Sequence, residues 1–217
     1  MRILLAGRPD LYSLSAGDTV QVSKTRYHLG KLGIEADLTL EPRKDLVRYD
    51  LVHIFNLARV DSSYQHARLC RNLNVPYVVS PIFWEDPASQ GSLDDRTRGT
   101  RGEGERRTRG WPGSWSGAWP RRHELRRRVL EWSRTVIVSG WAEAEKLQDT
   151  FSTSAVFRRV VIGVDPLVEG SSAIFGKRFG HRFTGGVLCM GRITPHKNQL
   201  RLLEALGSTG LPVVLAG

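Results

Sequence analysis

The sequence predicts an α/β fold built on parallel sheets, and three observations carry the prediction. Short apolar runs recur along the chain, at Arg2 to Ala6, Ile34 to Leu40, Asp50 to Asn56, Pro76 to Pro81, Thr135 to Ser139, Val156 to Ile162 and Val187 to Met190. Stretches with helical spacing lie between most of them, and parallel neighbours need such crossovers. Glycine-bearing turns stand after the first and the last of these runs, at Gly7, Gly17 and Gly191.

Taken in order, Arg2 to Ala6 reads as the first strand and ends at Gly7. It is too short for a secretory core and is followed by Arg8 and Asp10. Arg8 to Asp18 is a loop. A helix is expected from about Thr19, capped by Asp18 or Thr19, with Val20, Tyr27, Leu29 and Leu32 as its apolar positions. A strand, a glycine-bearing loop and a helix form an anion-binding arrangement, because the helix N-terminus offers unpaired N–H groups. The full Gly-x-Gly-x-x-Gly fingerprint of a dinucleotide site is missing, which argues against a nicotinamide-dependent oxidoreductase. Ile34 to Leu40 is the second strand. Asp50 to Asn56 is the third, and Asn56 at its carboxyl end is a candidate acceptor or donor contact, since open α/β sheets bind ligands there. Ser62 to Leu73 reads as a helix and Pro76 to Pro81 as the fourth strand. Trp84, just beyond, either stacks on a ligand ring or packs against the strand end.

Residues 88 to 120 break the pattern. They are rich in Gly, Arg, Ser and Trp without a helical or strand period, and are expected to form a long mobile insertion. The net charge of the chain is +10, and 11 arginines face only five acids between Asp94 and Arg128. Most of the basicity is therefore local. Such a segment can bind RNA or single-stranded DNA through charge and stacking, or lie on anionic lipid. A basic helix is expected from Arg121 to Trp132, with Arg121, Arg122, Arg126, Arg127 and Arg128 opposite Leu125, Val129 and Trp132. Strands at Thr135 to Ser139 and Val156 to Ile162 flank a helix from Trp141 to Phe151. The first domain is expected to span 1–166, followed by an aperiodic linker, 167–184, and a second domain, 185–217. Two cysteines suit a reducing compartment and supply no metal site. No apolar run is long enough to cross a membrane.

The most informative stretch runs from Gly186 to Leu206. Val187 to Met190 reads as a buried strand, Gly191 as a turn that admits a ligand to the backbone, and Arg192 and Lys197 as two cations beyond it. From about Asn198 the spacing of Leu200, Leu203 and Leu206 predicts a helix whose N-terminus faces the turn. That combination suits a diphosphate.

Gly191-Arg192-Ile193-Thr194-Pro195-His196-Lys197-Asn198-Gln199 resembles the donor-binding turn of retaining glycosyltransferases of the GT-B fold, family four. Weaker likeness lies in the Gly17 loop, in Asp50 to Asn56, and in Gly163-Val164-Asp165, where relatives carry Pro-Asn-Gly-Val-Asp. The resemblance implies a Rossmann-like parallel-sheet domain followed by a truncated second Rossmann-like domain. It implies transfer of a sugar from a nucleotide sugar to a sugar, lipid or small-molecule acceptor, with retention. Arg192 and Lys197 would neutralise the donor diphosphate, with Gly17 and Gly191 lying against it and Asn56 and Trp84 on the acceptor side. The family is metal-independent, so neither metal nor cofactor is expected. Relatives often carry two adjacent glycines where this chain has Ala16-Gly17, and an alanine forced to positive φ would cost roughly 1 kcal/mol. Relatives also carry a histidine after the fourth strand, and Pro81 to Asp86 holds none. The family's paired glutamates would lie beyond Gly217, so the chain reads as a fragment that is inactive by itself. The expected location is cytoplasmic, with peripheral contact at anionic membrane. The rival reading is a nucleic-acid-binding α/β protein that uses residues 88 to 128.

Overall fold

The computed structural model describes residues 1–83, 119–166, 170–180, 183 and 185–217. They form two compact units, Met1–Ile162 and Gly163–Gly217.

In the first unit, β1 (Arg2–Ala6), β2 (Glu35–Thr39), β3 (Leu51–Phe55), β4 (Tyr77–Ser80), β5 (Thr135–Val138) and β6 (Phe157–Arg159) make one sheet. Its order is β2-β1-β3-β4-β5-β6, and every pairing is parallel. The helices are α1 (Gly17–Lys31), α2 (Val60–Asn72), α3 (Trp119–Glu131) and α4 (Trp141–Phe151). Successive side chains of a strand point to opposite faces, and here both faces are covered. Leu4 and Ala6 join Val52, Ile54, Val79 and Val136 on the side closed by Ala67 and Cys70 of α2, Val129 and Leu130 of α3, and Leu147 and Phe151 of α4. Ile3 and Leu5 join Leu11 and Phe55 on the other side, under Val22 of α1. Each fully buried leucine or valine contributes about 1.5–3 kcal/mol relative to exposure, so this two-sided core is the main source of stability.

Two helices present a different face from the one their sequence suggests. In α1, Val20, Tyr27 and Leu32 are exposed, whereas Asp18 and Val22 are buried and Leu29 is half-buried. The helix begins at Gly17, two residues before the expected start. Its buried face is set by the ion pair of Asp18 described below. In α3, Arg126 lies on the buried side with Val129 and Leu130, and Leu125 is only half-buried. Arg126 can lie there because its Nε donates to the Leu57 carbonyl at 3.0 Å, and its guanidinium stands 5.5 Å from the Phe83 ring centroid. Arg122, Arg127 and Arg128 follow the surface reading. Arg127 and Arg128 reach Glu124 at 2.9 and 2.7 Å, and Arg127 also reaches Glu131 at 2.7 Å.

The second unit holds α5 (Ser172–Phe179), β7 (Val187–Met190), α6 (Gln199–Leu206) and β8 (Val213–Ala216). Strands β7 and β8 pair in parallel, with Val187 opposite Val213 and Met190 opposite Ala216. Helix α5 stands where the sequence suggests an aperiodic linker. Ser171 caps it by accepting from the Ile174 N–H at 3.3 Å, and Gly180 at φ 90° follows its end. Eight residues are too few for the apolar period to stand out, so the cap and the stop define this helix. The leucines of α6 that signal a helix in the sequence are largely exposed here, Leu200 at 70% and Leu203 at 42%.

Candidate functional site

The strand order of the first unit reverses between β1 and β3. From β1 the chain passes outward to β2, and from β3 it proceeds the other way. Loops that leave adjacent strands in opposite directions open a crevice at the carboxyl ends, where α/β sheets bind ligands. Residues 7–16 and 56–59 are those two loops. A buried polar network joins them.

Arg8 is at its centre and is 5% exposed. Its Nε donates to Asp18 Oδ2 at 2.7 Å and its Nη2 to Asp18 Oδ1 at 3.1 Å, a two-pronged pairing that suits a guanidinium. Nη1 lies 2.8 Å from Asp10 Oδ1 and donates to the Asp10 carbonyl at 2.8 Å, and Nη2 also donates to the Leu14 carbonyl. Asp18, 5% exposed, accepts a further hydrogen bond from Asn56 Nδ2 at 2.8 Å. Burial pushes the Asp18 carboxyl up, but hydrogen bonds from Arg8 and Asn56 outweigh it and hold the group below the usual carboxylate range. Asp10 behaves likewise: burial raises it, and Arg8 and Arg59 bring it below the ordinary value. The Asp18 hydrogen bond in turn raises the Arg8 guanidinium, which stays charged.

Asn56 sits at φ 75°, a left-handed conformation that asparagine tolerates better than most residues. Its Oδ1 accepts from the Ala58 N–H at 2.8 Å and from the Arg59 N–H at 3.4 Å. Ser63 Oγ donates to its carbonyl at 2.5 Å. Both ends of the amide are thus engaged inside the protein. The side chain holds Asp18 and the start of α2 in place. Arg59 links the loops a second time, donating to Asp10 Oδ2 at 3.0 Å from a largely exposed position.

Ala16 has φ −149°, ordinary extended backbone, so alanine carries no strain there. A Cβ built on Gly17 would meet nothing within 4 Å, so the backbone there faces open space. Thr19 accepts from the Ala16 N–H through Oγ1 at 3.1 Å and so serves the helix start from inside its first turn. Trp84 lies outside the described residues, as do residues 88 to 118 of the insertion expected over 88 to 120, whose last two residues open α3.

The second group of candidates belongs to the second unit. Gly191 follows β7 at φ 133°, which disfavours any side chain, and donates to the Ala216 carbonyl at 2.6 Å. A single 3-10 turn, Pro195–Lys197, and Asn198 at φ 58° lead into α6. Lys197 folds back over the turn, with Cε 3.7 Å from the position of a Cβ built on Gly191. Arg192 and Lys197 are both exposed. Gln199 holds the loop closed: 5% exposed, it donates from Nε2 to the Arg192 carbonyl at 3.0 Å and accepts the Thr194 N–H at Oε1 at 3.4 Å. The sequence places Gln199 in the turn without suggesting this role, and it suggests no pairing of Arg8 with Asp18. The charged cluster Arg8-Pro9-Asp10 inside a loop is the one local trace of that pairing. Among the described residues, no three His, Cys, Asp or Glu side chains are grouped to hold a metal ion.

The six-stranded parallel sheet flanked by helices has the fold of a Rossmann-like GT-B domain. In particular, the chain is similar to the sucrose-phosphate synthase from Thermosynechococcus elongatus, with a TM-score of 0.65 and 13% sequence identity over 100% of this chain. It spans 62% of the length of that chain. By sequence, no protein-family model and no curated protein matches.

Proposed function

We propose that the protein is a glycosyltransferase of the GT-B type and of the retaining, family-four kind, taking its sugar from a nucleotide-sugar donor. The observation that carries the reading is the turn from Gly191 to Gln199. It follows a strand, requires glycine at its first position, and carries Arg192 and Lys197 beside the start of a helix. The similarity of fold supports the same class.

In this reading Arg192 and Lys197 neutralise the donor diphosphate and Gly191 lets phosphate oxygens approach the backbone of the second unit; in the first unit, Gly17 offers its backbone to a ligand. Negative charge grows on the departing phosphate as the glycosidic bond breaks. Fixed cations stabilise that charge without reorganising, and they do so more strongly where water is excluded. A cation and a phosphate about 4 Å apart gain about 1 kcal/mol in water and about 4 kcal/mol near a protein surface. Two such pairs supply the neutralisation that a metal ion gives in other enzymes. The acceptor, a sugar, lipid or small molecule, approaches beside the Asn56 turn and Trp84. The protein works in the cytoplasm, and its basic residues permit contact with anionic membrane. No helix among the described residues is long and apolar enough to cross one. The nucleic-acid reading rests on residues 88 to 128, most of them outside the described residues, and the fold lends it nothing.

Calorimetric titration with UDP-, GDP- and ADP-sugars, on the protein and on Arg192→Ala and Lys197→Ala, tests the assignment. Each substitution is expected to weaken the preferred donor about tenfold or more, the effect of losing 1.4 kcal/mol. Equal affinity in all three proteins would remove the diphosphate role from these residues.

A further inference from the structure

We propose that Arg8, Asp18 and Asn56 form a clasp across the switch point of the first sheet. The clasp fixes the loop 8–16 and the start of α1 in the position from which Gly17 meets a ligand. They are positioning residues and touch no substrate. The inference rests on the reading that this edge of the sheet faces a nucleotide sugar.

Three features support it. The clasp lies where the strand order reverses, between two loops that lead to helices on opposite faces of the sheet. Nothing in the covalent chain holds these loops together, since 38 positions separate Asp18 from Asn56. The three side chains also satisfy one another almost completely. Arg8 uses both prongs on Asp18, Asp18 receives Asn56, and the remaining Arg8 donors close the loop on the Asp10 and Leu14 carbonyls. A buried guanidinium that accounts for its loop in this way leaves the loop a single arrangement. Finally, the part of the loop turned outward is free of this packing. Gly17 borders open space, while its neighbour Asp18 is 5% exposed. The result is a rigid inner side and an accessible backbone edge, which preorganised binding requires.

The other charges near the clasp do not alter this assignment. Arg59 pairs with Asp10 at 3.0 Å on the outer side and adds a second link between the same two loops. Arg122 lies 3.8 Å from Asp61 in the first turn of α2, and Arg126 holds the Leu57 carbonyl. These contacts secure the β3–α2 loop against α3. The clasp then ties the β1–α1 loop to that fixed element.

The test uses an exchange of the two acceptor-side groups. Asn56→Asp places a second carboxylate against Asp18, and Asp18→Asn removes the partner of Arg8. The double variant restores the net charge of the cluster, with one carboxylate and one amide in exchanged places around Asp18's position. Backbone hydrogen exchange in residues 8–17 is expected to rise about tenfold or more in each single variant while β4 and β5 keep their protection, because local opening is distinct from global unfolding. In the double variant, loop exchange should return to within about threefold of the parent, as coupled pairs are non-additive. Single variants that leave loop exchange unchanged would overturn the clasp. So would exchange that rises equally throughout the first unit, or a double variant as loose as the singles.

Titration with UDP, GDP and ADP gives the second readout. The nucleoside diphosphate that the parent binds should bind about fivefold or more weakly to each single variant and recover in the double, since ordering the loop on binding lowers affinity. A loosened loop with unchanged affinity would refute the link to ligand. A parent that binds none of the three would refute the nucleotide reading, and the exchange pattern would still decide the clasp.

Discussion

Replacing His66 by leucine should stabilise the first unit at neutral pH and make it markedly less sensitive to acid. His66 lies on α2 at 1% exposure, and neither ring nitrogen has a hydrogen-bond partner among the described residues. Burial pushes its pKa down to about 4, so the folded state holds the ring neutral. Unfolded, the ring titrates near 6.5. A depressed histidine leaves stability intact above the unfolded pKa. As the pH falls from 6.5 toward 4, the unfolded state takes up the proton first, and stability is lost. The loss for one such group is about 2 kcal/mol at pH 5 and about 3 kcal/mol below pH 4. His53 is a second group of this kind, pushed down to about 4 by burial, with Nε2 2.9 Å from Ser80 Oγ and its ring stacked on Phe55.

The pair therefore removes about 4 kcal/mol between pH 7.5 and pH 5, a large share of the about 5–15 kcal/mol of a typical domain. His66→Leu should halve that slope. It should also add about 1–3 kcal/mol at pH 7.5 by removing two unsatisfied buried nitrogens. The assay is urea unfolding of parent and variant at pH 7.5, 6 and 5, followed by circular dichroism, with stability extrapolated to water at each pH. Asp10 and Asp18 do not interfere. Their carboxyls are held below the ordinary value, so the stability they contribute is present above about pH 4 and lost only as the pH falls further. A His66→Leu protein whose stability falls between pH 7.5 and 5 as steeply as the parent's would refute the reasoning.

Gly191→Ala should destabilise the second unit by about 1–3 kcal/mol, because φ 133° is closed to a side chain, and abolish donor binding; far-ultraviolet melting together with titration of a nucleotide sugar checks both. Arg192→Ala and Lys197→Ala should each weaken that donor about tenfold while leaving the melting temperature within about 2 °C, since both side chains are exposed.

Local sequence was sufficient for the order of the elements except α5, whose eight residues read as part of a linker. Apolar runs with β-branched residues, such as Tyr77 to Ser80 and Thr135 to Val138, become strands because burial on both faces demands continuous hydrophobicity. The turn after β7 was equally legible, since Gly191, Arg192 and Lys197 are close neighbours whose geometry depends on a few torsions. Tertiary structure decided which polar groups are interior. Asp18 and Arg126 look like surface residues in any short window. They are buried because Arg8 reaches Asp18 across 10 positions, Asn56 reaches it across 38, and the Leu57 carbonyl meets Arg126 across 69. The same partners turn α1 so that Val22 is buried and Val20 and Tyr27 are exposed. The Asn56 side chain is in turn tied to Asp18 and to the start of α2. A buried charge is stable only with a partner at hydrogen-bonding distance, and only the folded sheet brings those partners together.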